Sequence, residues 1–338
     1  MNDHIGICII GAGRAGMIHA RNFSHRVEGA YLAAIADPDE DAADAAAVEL
    51  GTVKAFYDYR RILEDKDIHA VIVASPTRMH KTIVTDCAEA KKHIFCEKPM
   101  AMDVNECDLM IAACERNKVK LQIGFMRRYD PSFQRAKNLL DDGEIGALVQ
   151  INSHTRGPSK PRPWMYDLKA SSGTLAEVNS HDIDSVRWFS GSEIQKLFAV
   201  GGNYRNREIA KEYPDYYDSV IVNGLTQSGI QFSVNGAAYV LYGYDAGVEL
   251  VGARGVLRVG RSNSDFVTGL TVDKGISATF ITGWADLFKE AYLNEDTAFI
   301  RCIMDDKQPE PGGFDGRMAV GAVHAGNHSI KTGETVYA

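Results

Sequence analysis

The sequence predicts an N-terminal α/β domain with a doubly wound parallel sheet, followed by a C-terminal α+β domain with an open, mostly antiparallel sheet. Three observations support this prediction. Short apolar strands alternate with helical segments near the N-terminus, a glycine-rich loop joins the first strand to the first helix, and the second half is rich in strands with few crossover helices. The length of 338 residues corresponds to two domains at roughly 150 residues each, which we place at 1–124 and 125–338.

Composition excludes several classes of protein. The chain has 45 acidic and 37 basic residues, and the net charge of −8 argues against a nucleic-acid partner. No stretch reaches the ~18–20 apolar residues of a membrane span. The six cysteines form no C-x-x-C pair, so we expect neither a zinc site nor a disulfide framework. The N-terminus carries no basic, apolar leader, and we therefore expect a cytoplasmic protein without a bound metal.

The first domain alternates strand and helix in regular order. The predicted strands are Ile5–Ile10, Tyr31–Ala36, Lys54–Phe56, Ala70–Ala74, His93–Cys96 and Lys120–Ile123. Such an order predicts right-handed βαβ units. Ligands of these sheets bind beyond the carboxyl ends of the strands. We therefore expect Gly11–Gly16, Asp37, Ser75–Thr77 and Glu97–Lys98 to line one crevice.

The second domain is predicted from runs of strands separated by turn residues. Its strands are Val149–His154, Lys196–Gly202, Ser219–Leu225, Ile230–Ala238, Glu249–Gly252 and Gly255–Val259. One face of this sheet should pack on helices, and the other face would expose apolar surface that implies a partner.

The glycine loop GAGRAG (Gly11–Gly16) has the context of a dinucleotide-binding fingerprint, because it follows a buried strand and opens a helix. Gly11 permits a tight turn, Gly13 lets the backbone approach a pyrophosphate, and Gly16 lets the helix pack on the strand. Asp37 lies at the end of the next strand, where a carboxylate binds the adenosine ribose. This favours NAD over NADP, although Arg14 could partly neutralise a 2′-phosphate; Asp37 could also be a surface turn residue.

Several linked motifs resemble one family of oxidoreductases. KKHIFCEKPMA (Lys91–Ala101), SPTRMH (Ser75–His80), QIGFMRRYDPSF (Gln122–Phe133) and SGTLAEVNSHDIDSVRWF (Ser172–Phe189) resemble, in order, characteristic stretches of the glucose-fructose oxidoreductase / inositol dehydrogenase / rhizopine-catabolism family. The resemblance covers nearly the whole chain and is closest to inositol 2-dehydrogenase-like members. It implies a Rossmann N-terminal domain and NAD as cofactor. The cofactor-binding candidates are Gly11, Gly13, Arg14, Ala15, Gly16, Asp37, Ser75, Thr77, His80, Glu97 and Lys98.

The resemblance also implies the catalytic residues. The family's catalytic helix carries Asp-x-x-x-His, which corresponds here to Glu177 and His181, four residues apart and on one face of a helix. We expect His181 to take the hydroxyl proton and Lys98 to stabilise the developing charge on the reacting oxygen. The glutamate is a departure, so Glu177 either reaches the substrate differently or only orients His181.

The substrate implied is a cyclitol, a sugar or a glycoside oxidised at a ring carbon. Inositol dehydrogenases have His-Arg-Asn-Pro where this chain has Thr155-Arg156-Gly157-Pro158, so two substrate-contacting side chains are lost and specificity should change. Arg127 could contact the substrate or form a salt bridge at the hinge. Tyr242 could reach the pocket, although aromatic side chains in strands mostly pack in the core or at interfaces. The substrate-binding candidates are Arg127, Arg156, Trp164, Asp184 and Tyr242.

Three functions stay open from the sequence. The first is an NAD-dependent dehydrogenase of cyclitols or sugars. The second is an enzyme that retains NAD and cleaves or epimerises a glycoside through transient oxidation. The third is a non-catalytic sugar and dinucleotide sensor, against which the presence of both Lys98 and His181 argues. Members of the family form dimers and tetramers through the open face of the C-terminal sheet. The resemblance therefore implies a homo-oligomer, either a dimer or a homotetramer.

Overall fold

The computed structural model describes residues 4–51, 53–260, 263–271, 273 and 275–338. The chain divides into two compact units. The first comprises Met1–Asp130 and Glu290–Val320, and the second comprises Pro131–Lys289 and Gly321–Ala338. The expected division into 1–124 and 125–338 placed residues 290–320 in the second domain, whereas the structure places them in the first unit.

The first unit contains a six-stranded parallel sheet, as predicted. Its strands are β1 (Ile5–Ile10), β2 (Ala30–Ala36), β3 (Lys54–Phe56), β4 (Ala70–Val73), β5 (His93–Glu97) and β6 (Leu121–Gly124). The strand order is β3-β2-β1-β4-β5-β6, and each neighbouring pair is parallel. The order reverses between β1 and β4, which is the topological switch point where doubly wound sheets bind ligands.

Four helices connect these strands: α1 (Arg14–His25), α2 (Glu40–Glu49), α3 (Thr77–Glu89) and α4 (Val104–Asn117). The central strands β1 and β4 are buried on both faces, which explains their nearly continuous apolar sequences. Residues 290–320 join this unit through its core, since Phe299 packs edge-on against Phe95 with ring centroids 5.9 Å apart. Asp315 accepts a hydrogen bond from Arg128 at 2.8 Å. These contacts between distant segments cannot be anticipated from local sequence patterns.

The second unit contains a seven-stranded sheet and a separate hairpin. The strands are β7 (Leu148–Gly157), β8 (Ile194–Gly202), β9 (Ser219–Thr226), β10 (Gln231–Ala238), β11 (Asp245–Gly252), β12 (Val256–Gly260), β13 (Asn263–Thr271), β14 (Gly275–Phe280) and β15 (Val336–Tyr337). The sheet order is β12-β11-β7-β10-β9-β8-β15, and β13 pairs with β14. Among the described strands of this seven-stranded sheet, only β7 and β10 pair in parallel, so the sheet is mostly antiparallel, as predicted.

The remaining helices are α5 (Pro131–Asp141), α6 (Leu168–Ser171), α7 (Gly173–Glu177), α8 (Ser180–Ser190), α9 (Trp284–Leu287), α10 (Lys289–Met304) and α11 (Gly313–Thr332). Of the helices within the described ranges, none is both long enough and apolar enough to cross a membrane.

The expectation that Glu177 and His181 share one helix was wrong. Glu177 ends α7 and His181 is the second residue of α8. The helix restarts because the main-chain oxygen of Asn179 accepts the N–H groups of Asp182 and Ile183 at 3.0 Å each. The Asn179 side chain lies against Gly236 of β10, where a Cβ atom would be 1.8 Å from Asn179 Oδ1.

Candidate active site

The glycine loop leaves an open cradle at the start of α1. A Cβ atom at Gly13 would meet no heavy atom within 4 Å, whereas one at Gly16 would lie 1.8 Å from the main-chain oxygen of Gly11. Gly11 has φ +110 and lies against Ala74, at the end of β4. No side chain caps the first turn of α1, which leaves its main-chain N–H groups and the positive end of the helix dipole facing the cradle. Space and donors at Gly13 fit a pyrophosphate.

Asp37 follows β2 and lies beside this cradle. Its Oδ2 accepts the main-chain N–H of Ala12 at 2.7 Å, and its Oδ1 accepts that of Asp39 at 2.9 Å. The carboxylate is half-buried, and these bonds fix its position at the loop. A carboxylate held here can accept hydrogen bonds from ribose hydroxyls and disfavours a 2′-phosphate.

The carboxyl ends of β4 and β5 are tied together by His80 of α3. Its Nε2 lies 2.8 Å from the oxygen of Ser75, and its Nδ1 lies 3.0 Å from the oxygen of Pro99. Burial lowers the pKa of His80, although these carbonyl oxygens act in the opposite direction. The ring therefore braces the loop after β4 against the Glu97-Lys98-Pro99 step. Thr77 begins α3 without a side-chain cap on that helix.

Glu97 is the last residue of β5 and is only 6% exposed. Its Oε2 accepts the main-chain N–H of Lys98 at 3.0 Å, and its Oε1 lies 3.2 Å from Nε2 of His19. Lys98 is half-buried and belongs to the same sheet edge as the glycine loop, since β4 is the single strand between β1 and β5. The predicted cofactor residues of the first unit thus share one end of its parallel sheet.

In the second unit, the start of α8 is held by a buried carboxylate. Asp182 accepts hydrogen bonds from Ser153 Oγ and Thr155 Oγ1 at 2.6 Å each and from Asn179 Nδ2 at 2.8 Å. His181, the neighbour of Asp182, is 5% exposed. The three donors come from β7 and from the break before α8, and they therefore fix the position of the helix that carries His181.

The other substrate candidates occupy different places. Asp184 is buried on α8, 3.7 Å from Arg187 Nη1. Trp164 is half-buried in the 3₁₀ turn Pro163–Tyr166, and Arg127 is 1% exposed in the turn Met126–Tyr129 of the first unit.

Arg156 and Tyr242 both lie at the carboxylate of Asp245. Arg156 Nη1 and Tyr242 OH lie 2.8 and 3.3 Å from Asp245 Oδ2, and His154 lies 3.0 Å from the other oxygen. Side chains alternate along a strand, and Thr155 faces α8, so its neighbour Arg156 lies on the opposite face of the sheet.

Two groups of site residues were missed from the sequence. Asp182 was overlooked between the two candidates His181 and Asp184, although a carboxylate in an otherwise buried helix turn is a signal for a buried hydrogen-bond network. His19, Glu295 and Asp296 surround Glu97, and no local pattern links residues so far apart in the chain.

Comparison with known proteins agrees with this geometry. Residues 5–125 match the family model described as an oxidoreductase family with an NAD-binding Rossmann fold, and residues 133–258 match the GFO/IDH/MocA C-terminal domain. The chain is 32% identical over 332 residues to a myo-inositol 2-dehydrogenase of Thermotoga maritima, covering 98% of this chain and 97% of that protein. It is also 32% identical to a scyllo-inositol 2-dehydrogenase (NAD(+)) of Bacillus subtilis, covering 99% and 97% of the two chains.

A crystal structure of scyllo-inositol dehydrogenase from Lactobacillus casei, with bound NAD(H) and scyllo-inositol, superposes with a TM-score of 0.90. That protein is 27% identical, and the match covers 99% of each chain. The predicted family resemblance is therefore confirmed. The chain belongs to the GFO/IDH/MocA oxidoreductase family and is an NAD-dependent dehydrogenase of the inositol dehydrogenase type.

Proposed function

We propose that the protein oxidises a ring hydroxyl of a cyclitol, sugar or glycoside, with His181 as general base and Lys98 as donor to the reacting oxygen. The relatives named above act on myo-inositol and scyllo-inositol according to their names. The relationship supports a ring polyol as the substrate class.

The residues of the first unit fit NAD. Gly11, Gly13 and Gly16 shape the cradle, the uncapped start of α1 offers N–H donors, and Asp37 is placed for the ribose. Arg14, Ala15, Ser75, Thr77 and His80 complete the proposed cofactor-binding set on the same sheet edge. Bound NAD supplies the acceptor for the hydride that the ring carbon gives up.

The observation that carries the proposal is the place of Lys98. It directly follows β5, one strand beyond the strand that neighbours the glycine loop, and its main chain is fixed by Glu97. A lysine ammonium at the reacting oxygen donates a hydrogen bond and stabilises the negative charge that develops as the hydroxyl loses its proton. An ordinary surface lysine would not need such a fixed main chain.

His181 is proposed to accept the hydroxyl proton. Histidine is the side chain that most often serves as a general base in enzymes. The carbon then loses a hydride, the oxygen loses its proton to His181, and a carbonyl group forms. Glu177 ends α7 four residues earlier, and we assign it to orienting the substrate or the His181 ring.

Thr155 and Gly157 argue for a substrate other than the inositols of the relatives. The Thr155 hydroxyl is committed to Asp182. At Gly157 a Cβ atom would lie 3.8 Å from the Tyr244 ring, an ordinary contact distance, so a side chain could start here without a clash and its absence removes a group that could contact the substrate. Because two polar side chains are absent, we propose that a bulkier sugar or glycoside is accepted at least as well as myo-inositol.

The test is absorbance at 340 nm with purified protein, NAD or NADP, and a panel of inositols, aldoses and glycosides. The proposal predicts NADH with at least one ring polyol and a preference for NAD. No reduction with any polyol, together with NAD released on denaturing the protein, would instead support an enzyme that retains its cofactor. No reduction and no retained NAD would support a sensor.

Assembly and location are further parts of this proposal. Phe198, Val200 and Ile221 are 38%, 56% and 48% exposed on neighbouring strands, and Val200 is paired with Ile221. We propose that this face is covered in a homodimer or homotetramer, which light scattering after gel filtration tests. All six cysteines are free thiols, which supports the cytoplasm as the location.

A further inference from the structure

Four ionisable side chains meet in the buried interior of the first unit: His19 of α1, Glu97 of β5, and Glu295 and Asp296 of α10, here called the His19 cluster. His19, Glu295 and Asp296 have no exposed surface, and Glu97 is 6% exposed. Burying such groups is unfavourable unless they are paired or neutral. The proposed reaction gives no role to His19, Glu295 or Asp296. Their burial beside Glu97 therefore needs another explanation.

His19 lies between two carboxylates. Its Nδ1 is 2.7 Å from Asp296 Oδ1, and its Nε2 is 3.2 Å from Glu97 Oε1. A neutral imidazole has one N–H and can donate to only one of them, whereas an imidazolium donates to both. Burial alone would lower the pKa of His19, but the charges and hydrogen bonds of Asp296 and Glu97 raise it well above 6.5.

Each end of this arrangement is anchored. Asn22 Nδ2, one turn further along α1, donates to Asp296 Oδ2 at 2.8 Å. At the other end, the second oxygen of Glu97 accepts the main-chain N–H of Lys98 at 3.0 Å. The hydrogen bonds therefore form one continuous chain from α10 through α1 to the residue after β5.

We propose that His19 is a positioning residue for Lys98, which as an imidazolium holds the Glu97 carboxylate against the main-chain N–H of Lys98. The inference deepens the proposed function and rests on the role of Lys98 in it. Asp296 orients the His19 ring, and Asn22 orients Asp296. The lysine side chain then starts from a fixed main-chain position, and a displacement of the order of 1 Å at a reacting group costs about 100-fold in rate.

The same cluster contains donor atoms for a metal ion. One atom each of His19, Glu97 and Glu295 lie within 4.8 Å of one another, and neither oxygen of Glu295 has a hydrogen-bond partner. A proton accounts for the geometry better. The His19–Glu97 contact has the length of a hydrogen bond, one oxygen of Glu97 is committed to Lys98, and burial raises the pKa of Glu295 well above 4.5, which favours its neutral form. A bound metal is therefore an outcome that the test must detect.

The first measurement is the protonation state of His19 in the full-length protein. With ¹⁵N-labelled histidine, long-range ¹H–¹⁵N correlation spectra are recorded about two units above the ordinary histidine pKa of about 6.5. Both ring nitrogens of His19 should carry protons there. The variant Glu97→Gln should convert His19 to a neutral ring, because the amide can donate to Nε2 and still accept from Lys98. The variant His19→Gln assigns the signal.

The second measurement is hydrogen exchange at the Lys98 main-chain amide, which needs no turnover. His19→Gln should accelerate the exchange of the Lys98 amide at least about 10-fold. The separate variant Glu97→Gln should keep the exchange rate within about threefold of wild type, because the glutamine amide oxygen can still accept the Lys98 N–H. His69→Gln is the matched control: His69 accepts the N–H of Gly6 at 2.9 Å at the opposite end of the same sheet. It should leave Lys98 exchange unchanged.

The third measurement is kinetic. His19→Gln should lower kcat about 10–100-fold while the KM for NAD changes less than about threefold, and the control His69→Gln should leave both values unchanged. If only the proposed function is wrong, no protein turns over, wild type included, while the His19 spectra and the Lys98 amide exchange still give the results predicted above. The inference itself is overturned by a neutral His19 in the wild type, by unchanged Lys98 exchange in His19→Gln, or by a stoichiometric metal in elemental analysis whose removal abolishes the His19 signals described.

Discussion

The carboxylate of Asp37 accepts a hydrogen bond from the main-chain N–H of Ala12, with 2.7 Å between Oδ2 and N. The end of β2 is thereby joined to the glycine loop after β1, and the acidic side chain stands where an adenosine ribose is bound in sheets of this kind. The proposed selection of the cofactor thus depends on the same carboxylate that is hydrogen-bonded to the glycine loop.

Replacing Asp37 should therefore weaken binding of NAD and its preference over NADP. Hydrogen bonds to charged groups contribute about 1.5–3 kcal/mol, so Asp37→Ala should raise the KM for NAD about 10–100-fold and leave the KM for NADP much less affected. Initial rates at 340 nm with both cofactors measure this. The control is Asp44→Asn, at an exposed contact with Tyr57. An unchanged ratio of the two KM values would contradict the role of Asp37.

Two glycines of the same loop should respond differently to alanine. Gly13 has φ −74 and open space around its Cβ position, so Gly13→Ala should keep the melting temperature of the cofactor-free protein and weaken NAD binding at least about 10-fold. Gly16→Ala would place a Cβ atom 1.8 Å from the oxygen of Gly11 and should cost more than about 2 kcal/mol of unfolding free energy. Thermal melts and calorimetric titration with NAD separate the two effects. Equal losses of stability and of NAD affinity in the two variants would contradict the role of Gly13 in binding the pyrophosphate.

His181 should be required for turnover and not for folding. General base catalysis contributes about 10²–10⁴-fold, so His181→Ala should lower kcat by that factor with an unchanged far-ultraviolet circular dichroism spectrum. His154→Gln is the control, since His154 pairs with Asp245 on the other face of the sheet. Near-normal turnover of His181→Ala would show that another group is the base.

Asp182 should matter for stability more than any of its donors. Asp182→Ala leaves the hydroxyls of Ser153 and Thr155 and the amide of Asn179 without this acceptor, and each buried donor left unsatisfied costs about 1–3 kcal/mol. Ser153→Ala removes a single bond and should cost about 1 kcal/mol. Urea unfolding of both variants compares these losses, and equal losses would show that the carboxylate is not the common anchor.

Glu295 should make the stability of the protein depend on pH. Burial raises its pKa well above 4.5, with the Glu97 and Asp296 charges acting in the same direction and His19 opposing. A raised pKa adds stability at low pH that is lost as pH rises through the folded-state value. Glu295→Gln lacks this loss, so its unfolding free energy should increase relative to wild type as pH rises from about 4.5. A difference between the two proteins that is constant with pH would contradict the burial of an ionisable Glu295.

Local patterns were sufficient for most of the fold. The strands Ile5–Ile10 and Lys54–Phe56 were predicted with the bounds that the structure has. For Ile5–Ile10 the reason is that an apolar run ending at a glycine marks a buried parallel strand. The hairpin of β13 and β14 was not predicted, since its polar sequence carries no strong alternation. The break at Asn179 was not predicted either, and the side chain of Asn179 lies against Gly236 of β10, a contact between distant segments that local patterns do not show.

The candidate site divides in the same way. Gly13, Asp37 and Lys98 were found because motifs and strand ends specify them within short stretches of chain. The partner of Glu97 is His19 of α1, 78 residues before it, and the partner of His19 is in turn Asp296 of α10, near the end of the chain. Only the folded core brings these side chains together, so sequence patterns alone could not reveal them.

The most direct test of the central claim follows the hydride itself. The protein is incubated with NAD and the ring polyol that reacts fastest, deuterated at its ring carbons, and the reduced cofactor is examined by mass spectrometry. The account predicts reduced cofactor carrying one deuterium per molecule from the wild type and almost none from His181→Ala in the same time. Reduced cofactor without deuterium, or no reduced cofactor from the wild type with any polyol, would contradict oxidation of a ring carbon by this site.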